Sequence, residues 1–345
     1  MLDYNIQVSM SLNEIKIEIT DKCLQKCKHC STDANKLNKS FHSIEIIKKL
    51  ANQAIDLKCK NIFISGGEPF LHPDIEEIIQ LLVTLGVNTR IYTSGIILSK
   101  PTSGVSKETL QNFKKSGLNH LIFSLYSSNP SIHDRITNLP NSHSETIKTI
   151  TNSIELGIKT EIHFVALREL INGLPALFEY LKGLGVSKLS ILRFVPQGRG
   201  QLGKSDLEPS RIDYIRLRDI LNEIQSKESN MKIRLGSPFN FLCVRPLVPC
   251  TTGKDRMIID PAGFAYPCDA LKRVKIDNTA NSIYSHSIGE IMTKNSLFKL
   301  VNQTDVPEQC TNCEKLNDCM GGCMAQRMLT GTDFLKPDPH CIHQD

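Results

Sequence analysis

Short apolar runs alternate with longer amphipathic stretches over the first two-thirds of the chain. The apolar runs are rich in Ile, Val and Phe and are short, which is typical of buried parallel strands. They predict six strands: Glu14–Thr20, Asn61–Ser65, Asn88–Thr93, Asn119–Leu125, Lys159–Val165 and Lys188–Phe194. The amphipathic stretches between them, several followed by a glycine suited to a left-handed cap, predict helices over Ser43–Leu57, Pro73–Leu85, Ser106–Ser116, Ser144–Leu156 and Leu174–Leu184.

This alternation predicts an α/β fold, namely a partial (β/α)6 TIM-like barrel followed by a small cysteine-rich domain. We place the barrel at residues 1–208, a linker helix and strand at 209–235, and the cysteine-rich domain at 236–345. Strands are short and Pro and Gly frequent in the last region, so we expect ligands to hold it rather than a large apolar core. Chemistry in such barrels lies at the carboxyl ends of the strands.

The net charge and the hydropathy of the chain argue against two classes of partner, nucleic acids and membranes. The chain has 41 Lys and Arg against 36 Asp and Glu, and this surplus of 5 is too small to indicate nucleic-acid binding. Residues 1–16 lack the pattern of a signal peptide, and the most apolar stretch, Ile78–Val87, is too short to span a bilayer. We therefore expect a cytoplasmic protein that binds neither nucleic acid nor membrane.

Twelve cysteines are the most informative feature of the composition. Three lie in an N-terminal group, eight in a C-terminal group, and Cys59 stands alone at a predicted helix end, where we expect a structural role. In a reducing compartment, clustered cysteines bind metal or act in catalysis more often than they form disulfides.

The N-terminal group has the spacing C-x3-C-x2-C, with Cys23, Cys27 and Cys30 directly after the first predicted strand. Three thiolates on one loop can ligate three irons of a 4Fe–4S cube and leave the fourth iron without a protein ligand. Such an open position is what a substrate-binding metal site needs. The alternative is a zinc site, for which His29 or Asp21 would supply a fourth ligand.

The triad resembles the signature of the radical S-adenosylmethionine (SAM) superfamily. A second motif, SGGEPF at residues 65–70, follows the second predicted strand and resembles the GGE motif of the same superfamily. The resemblance implies that Gly66, Gly67, Glu68 and Pro69 bind SAM. Paired glycines would let backbone carbonyls approach the ligand closely, and Glu68 would accept from its methionyl ammonium.

Four more positions are assigned to the SAM pocket by this resemblance. Ser124 matches the position that hydrogen-bonds the ribose, and Ser94, at the carboxyl end of the third predicted strand, would line the same pocket. Arg135 resembles part of the HD-R segment and would meet the SAM carboxylate, unless it is a solvated surface arginine. Val195 lies in the loop RFVPQGRG at 193–200, whose backbone would pass the adenine, unless this is a plain structural loop.

The C-terminal cysteines resemble the seven-cysteine pattern of the SPASM domain over residues 243–345. Two complete 4Fe–4S clusters need eight thiolates, and Cys243 would be the eighth. Resemblance to the anaerobic sulfatase-maturating enzymes implies a first auxiliary cluster on Cys243, Cys250, Cys268 and Cys323. It implies a second on Cys310, Cys313, Cys319 and Cys341. A zinc ribbon is one alternative, and a first cluster with an open iron in place of Cys243 is another.

Asp269 directly follows Cys268. The same resemblance implies that this carboxylate is a catalytic general base for the substrate radical, with a pKa tuned by burial. The alternative is an aspartate that hydrogen-bonds backbone in a turn.

Together these resemblances imply an enzyme that cleaves SAM reductively to a 5′-deoxyadenosyl radical and modifies a peptide or protein by crosslinking or oxidation. They imply three 4Fe–4S clusters, one binding SAM and two auxiliary, and a low-potential electron donor such as flavodoxin or ferredoxin. A haem-pathway tetrapyrrole enzyme is the alternative that the VP-x-GRG loop suggests. A non-catalytic zinc-binding interaction protein is a second alternative. Metal analysis distinguishes it from the two enzyme hypotheses.

Overall fold

Four ranges of the chain are described in the computed structural model: residues 11–227, 229–274, 279–330 and 335–343. The first ten residues, part of the segment searched for a signal peptide, lie outside these ranges. Within them, no helix is both long and apolar enough to cross a membrane.

Among the described residues, nine strands form one sheet, and two more form a separate antiparallel pair (β4 with β5). The strands are β1 (Glu14–Thr20), β2 (Asn61–Gly66), β3 (Asn88–Thr93), β4 (Ile96–Ser99), β5 (Thr102–Gly104), β6 (His120–Ser124), β7 (Lys159–Ala166), β8 (Lys188–Arg193), β9 (Lys232–Leu235), β10 (Arg256–Ile259) and β11 (Ala265–Tyr266). The order in the large sheet is β11-β10-β1-β2-β3-β6-β7-β8-β9. All its neighbours are parallel except β10 with β11.

The predicted partial barrel is confirmed. The six predicted strands lie side by side in chain order and parallel, because helical crossovers return the chain to the same end of the sheet each time. The sheet also extends beyond them, since β9 pairs with β8 and β10 pairs with β1. Segments of the predicted linker and of the predicted C-terminal domain therefore extend the wall of the partial barrel. The domain boundaries themselves stay a prediction.

Helices cover the outer face of the sheet and several begin with a side-chain cap. Ser43, for example, accepts from the amide of Ile46 at the start of α1. The α-helices are α1 (Ile44–Asp56), α2 (Ile75–Thr84), α3 (Lys107–Lys115), α4 (Pro130–Thr137), α5 (Ser142–Glu155), α6 (Leu174–Leu184), α7 (Arg199–Leu202), α8 (Lys204–Leu207), α9 (Arg211–Ser226), α10 (Ile288–Lys294), α11 (Ser296–Gln303), α12 (Leu316–Cys319) and α13 (Met324–Thr330). Short 3-10 helices span Pro69–Leu71, Arg168–Gly173, Ser237–Leu242, Asp269–Leu271 and Glu308–Cys310.

The two faces of the barrel sheet differ in polarity because successive side chains of a strand point to opposite faces. On β1, the residues in the apolar core are Ile15, Ile17 and Ile19. The alternate residues of the same strand line an internal cavity: Glu14, Lys16 and Glu18. TIM-barrel interiors are usually filled by branched apolar side chains, so this polar inner face indicates space built to hold a ligand.

The C-terminal region has two kinds of packing. Phe239, Phe241 and Ile288 belong to the main apolar core that the barrel also shares. A separate cluster has six buried members: Ala270, Leu271, Leu297, Val301, Ala325 and Met328. The expectation that this region lacks a large apolar core therefore fails for its first part, which packs on the barrel.

Candidate functional site

One cavity of about 910 Å³ lies within the barrel. One part of its wall carries the thiols of the N-terminal triad, Cys23, Cys27 and Cys30. Another part carries four C-terminal cysteines, Cys250, Cys268, Cys319 and Cys323, of which Cys319 also borders a second, smaller cavity. The fold thus brings two cysteine groups that are far apart in the sequence to a single space.

Backbone hydrogen bonds hold the loop of the triad, which follows β1. The amides of Lys26 and Lys28 donate to carbonyls at the end of α4, at 3.0 and 2.9 Å. The Arg199 guanidinium donates from Nε to the Cys27 carbonyl at 3.0 Å. These contacts fix the path of the loop without using the three thiols, which remain available to a ligand.

The buried thiols of this loop are poor acids in the absence of a cation. Burial, with the Glu68 carboxylate nearby, raises the pKa of Cys23 to about 12. Burial, together with the neighbouring thiols of Cys23 and Cys30, also raises the pKa of Cys27 well above its ordinary value. Thiolates here need a positively charged partner, and three thiols on one loop fit the irons of an iron–sulfur cluster.

The two glycines of the SGGEPF motif lie against the backbone of the triad loop. The amides of Gly67 and Glu68 donate to the carbonyls of Thr20 and Lys22 at 2.7 and 2.8 Å. A Cβ atom on Gly66 would overlap the Thr20 carbonyl, and one on Gly67 would overlap that of Lys22. Gly66 also has a φ of +130°, which other residues rarely adopt. Glycine is therefore required at both positions for the turn to dock on the loop.

Glu68 is fully buried behind the cavity wall. Its carboxylate accepts from the hydroxyls of Thr93 and Ser94, both at 2.6 Å, and from the amides of Ser94 and Phe70, at 2.7 and 3.3 Å. Burial raises its pKa, although these four donors favour the charged form. Glu68 thus ties the end of β2 to the end of β3, and Pro69 is buried beside it. An ammonium ligand would have to replace one of these donors.

Three of the other predicted SAM-pocket residues line the cavity: Ser94, Ser124 and Val195. Arg135 does not. Its guanidinium is half-exposed and forms an ion pair with Glu169 on the surface. The predicted contact of Arg135 with the SAM carboxylate is therefore not supported by its position, which fits the alternative of a solvated surface arginine.

Asp269 lines the cavity beside Cys268, as predicted, but its carboxylate is paired. It forms an ion pair with Lys16 of β1, and Lys272 lies 3.8 Å away. Burial opposes ionisation of this carboxyl, yet the two ammonium groups hold its pKa below the ordinary value. In this geometry Asp269 is a carboxylate neutralised by lysines rather than a free base.

The remaining C-terminal cysteines lie either around a second cavity or apart from both cavities. A second, smaller cavity is lined by four predicted ligands, Cys310, Cys313, Cys319 and Cys341. Cys243, predicted to join Cys250, Cys268 and Cys323, does not line the large cavity with them. Its sulfur instead lies 3.5 Å from Nε2 of His343. The structure brings seven of the eight C-terminal thiols into the predicted groups and leaves Cys243 outside its group.

A buried ion pair that the sequence did not reveal joins the barrel to the C-terminal thiols. Arg193 at the end of β8 donates to Asp338 through two nitrogens, at 2.6 and 2.7 Å, and each side chain is 1% exposed. Asp338 also accepts from the amide of Cys323 at 2.9 Å and borders the second cavity. Because its partner is distant in the sequence, no local pattern indicates this role.

In the described part of the chain, no three His, Cys, Asp or Glu side chains lie close enough together to hold a single metal ion. Cys59 is buried at the end of α1, where its thiol donates to the Asn61 carbonyl at 3.3 Å. This position agrees with the structural role expected for Cys59.

Comparison with known families identifies two regions. The Radical SAM superfamily matches residues 17–181, and the iron-sulfur cluster-binding domain SPASM matches residues 250–314. Among curated proteins, the PqqA peptide cyclase of Gluconobacter oxydans (strain 621H) is 25% identical over 329 residues, which cover 94% of this chain and 88% of that protein. That of Granulibacter bethesdensis is 26% identical over 332 residues, covering 94% and 85%.

Solved structures share the fold. Streptococcus suis SuiB bound to precursor peptide SuiA has a TM-score of 0.78 and 18% identity, covering 96% of this chain and 76% of that one. The enzyme anSMEcpe with bound AdoMet and Cp18Cys peptide has a TM-score of 0.72 and 15% identity, covering 96% and 94%.

Proposed function

Since this chain belongs to the radical SAM superfamily and carries a SPASM domain, we propose that it cleaves SAM reductively and modifies a peptide by crosslinking or oxidation. The observation that carries this proposal is the shared cavity, whose wall holds both the N-terminal triad and four C-terminal cysteines. A substrate in that space would touch the radical-generating group and the auxiliary group at once. The curated relatives named above are peptide cyclases.

Each cysteine group has a proposed ligand. Cys23, Cys27 and Cys30 would hold a 4Fe–4S cluster with one iron left for SAM. Cys250, Cys268 and Cys323 would hold a first auxiliary cluster, and the four thiols of the second cavity would hold another. When bound, the reduced first cluster would supply one electron to SAM, and cleavage of a sulfonium C–S bond would give methionine and a 5′-deoxyadenosyl radical.

The chain's own residues position these groups and balance their charge. Gly66 and Gly67 dock the β2 turn on the triad loop. Ser94 and Ser124 line the same cavity and would contact the polar part of SAM, with the Ser94 hydroxyl accepting because it already donates to Glu68. Lys16 and Asp269 also line this cavity, and release of Lys16 would free the Asp269 carboxylate to accept a proton from the substrate. The proposed reductant is a flavodoxin or ferredoxin, which exposed lysines of the triad loop would attract.

Two measurements on the anaerobically reconstituted protein test this proposal. Three clusters predict about 12 iron and 12 sulfide per chain, and dithionite should then convert SAM to 5′-deoxyadenosine and methionine. With PqqA or SuiA as peptide probes, a mass loss of two hydrogens supports peptide modification. Zinc in place of iron, or no 5′-deoxyadenosine, contradicts the proposal, and altered propionates on a porphyrin probe would favour the tetrapyrrole alternative.

A further inference from the structure

The charged strand residues that line the large cavity are paired, with one exception. Lys16 pairs with Asp269, Glu18 with Lys272, Arg256 with Glu14, and Arg193 with Asp338. Arg234 of β9 has neither an ion-pair nor a hydrogen-bond partner among the described residues, yet it lines the same cavity. A partly buried guanidinium without an anion is unfavourable, so this residue needs a partner that the described residues do not supply.

Arg234 lies in a row of polar residues that crosses three neighbouring strands. His163 of β7 is opposite Ser190 of β8, and Ser190 is opposite Arg234. Tyr92 packs edge-on against His163 with ring centroids 5.1 Å apart, and its hydroxyl has no hydrogen-bond partner in the described ranges. Tyr92 and His163 line the cavity with Arg234, so an aromatic hydroxyl and a guanidinium both face this space.

The buried carboxylate of Glu161, on the same strand as His163, is already fully engaged. Glu161 accepts from Ser190 at 2.6 Å and lies 3.1 Å from both His163 and Lys188. These contacts, despite the opposing effect of burial, keep the pKa of Glu161 well below its ordinary value. Glu161 therefore remains bound to its own partners and does not neutralise Arg234.

We infer that Arg234, assisted by the Tyr92 hydroxyl, forms a subsite for a carboxylate of the peptide substrate, either an acidic side chain or the C-terminus. The inference rests on the proposed function, because it assumes that a peptide enters the cavity. Arginine presents two parallel N–H donors that match a carboxylate, and this pairing is strongest where water is partly excluded. The subsite would hold the peptide in one register beneath the SAM site.

Direct binding tests the subsite without relying on turnover. The probes are three tripeptides, acetyl-Ala-Glu-Ala-amide, acetyl-Ala-Gln-Ala-amide and acetyl-Ala-Gln-Ala with a free C-terminal carboxylate. Each is titrated into the anaerobic holoprotein and followed by ligand-observed NMR. We expect one of the charged probes to bind about tenfold more tightly than the neutral one. The preferred probe identifies the source of the carboxylate.

Two variants decide whether Arg234 is responsible. Arg234→Gln should abolish the preference, whereas Arg245→Gln should keep it, since Arg245 also lines the cavity but is paired with Asp318 at 2.9 Å. Equal or undetectable binding of the three probes to wild-type protein, or a preference that survives Arg234→Gln, overturns the inference. Formation of 5′-deoxyadenosine from SAM alone is measured on the wild-type protein in parallel. If wild-type protein fails in that assay, it is the proposed function that fails, whatever the probes show.

Discussion

The two cysteine-bearing walls of the cavity are built in different ways. The triad loop is positioned by main-chain hydrogen bonds to α4 and by a glycine turn that docks on its backbone. The C-terminal thiols lie on short helices and turns beside a six-residue apolar cluster, and the buried pair of Arg193 and Asp338 ties them to the barrel. The first wall is formed by the fold itself, whereas we infer that the second depends largely on its ligands.

Removing one thiol from the N-terminal group and one from the C-terminal group should separate the roles of the two groups most strongly. Cys27→Ala leaves two triad ligands, so we expect no detectable 5′-deoxyadenosine under dithionite. Cys313→Ala should retain SAM cleavage and lose formation of the modified peptide. Chromatography of 5′-deoxyadenosine and mass spectrometry of the PqqA probe measure the two outcomes. SAM cleavage by the Cys27 variant would refute the assignment of the triad.

Iron removal should make the C-terminal wall of the cavity more susceptible to proteolysis than the wall that carries the triad loop. After chelation, the cysteine-rich end around Lys315 and Arg327 should become open to trypsin, while the core of the barrel stays resistant. The physical reason is that few apolar contacts remain at that end once thiol ligation is lost. Mass spectrometry of the fragments locates the cuts, with the holoprotein as control. Equal resistance of both regions would show that the C-terminal wall holds its shape without metal.

Breaking the buried ion pair of Arg193 and Asp338 should lower the free energy of unfolding more than breaking a surface ion pair does. Asp338→Asn leaves Arg193 buried and uncompensated, so we expect a loss of about 3–5 kcal/mol in the free energy of unfolding. Glu169→Gln, which breaks the exposed pair with Arg135, should cost about 0–1 kcal/mol. Anaerobic urea unfolding of the two variants measures the difference. Similar losses in both would argue that Asp338 does not carry the connection.

Acid should lower the free energy of unfolding by less than Asp338→Asn does. The residue responsible is His133 of α4, the helix that holds the triad loop. Burial lowers the pKa of His133 to about 3, and its Nδ1 accepts from the Tyr126 amide. An ordinary histidine in the unfolded chain binds a proton near pH 6.5, so this stabilisation is complete above pH 6.5 and is lost as pH falls toward 3. We expect a loss of about 1 kcal/mol between pH 7.5 and 5.5. Urea unfolding of His133→Asn should show a correspondingly flatter pH dependence.

Local patterns predicted much of the barrel. The bounds of β1, β3 and α6 agree with the sequence prediction, because each is a periodic apolar run between clear turn signals. The hairpin of β4 and β5 was missed, since its strands are short and partly exposed. So was α4, although Asn129 and Pro130 provide an N-terminal signal. The participation of β9 and β10 in the sheet depends on long-range pairing that periodicity does not encode.

The candidate site shows the same contrast between local patterns, which the sequence reveals, and long-range contacts, which it does not. Residues that act through spacing within one segment, such as the triad and the SGGEPF turn, were found from the sequence. Residues that act through distant partners were not. Lys16 neutralises Asp269, and Asp338 meets Arg193, across long separations in the chain. Their charges alone resemble those of ordinary surface residues, so only the folded geometry reveals what they do.

The docking of the glycine turn on the triad loop has a consequence for how such chains diverge. The contact uses only main-chain atoms of Thr20 and Lys22, so it places no demand on which side chains these positions carry. Substitutions at Lys22, whose side chain the contact does not use, can therefore accumulate while the glycine turn stays docked. Over evolutionary time this arrangement would let the surface before the first cysteine change without displacing the loop that carries the three thiols.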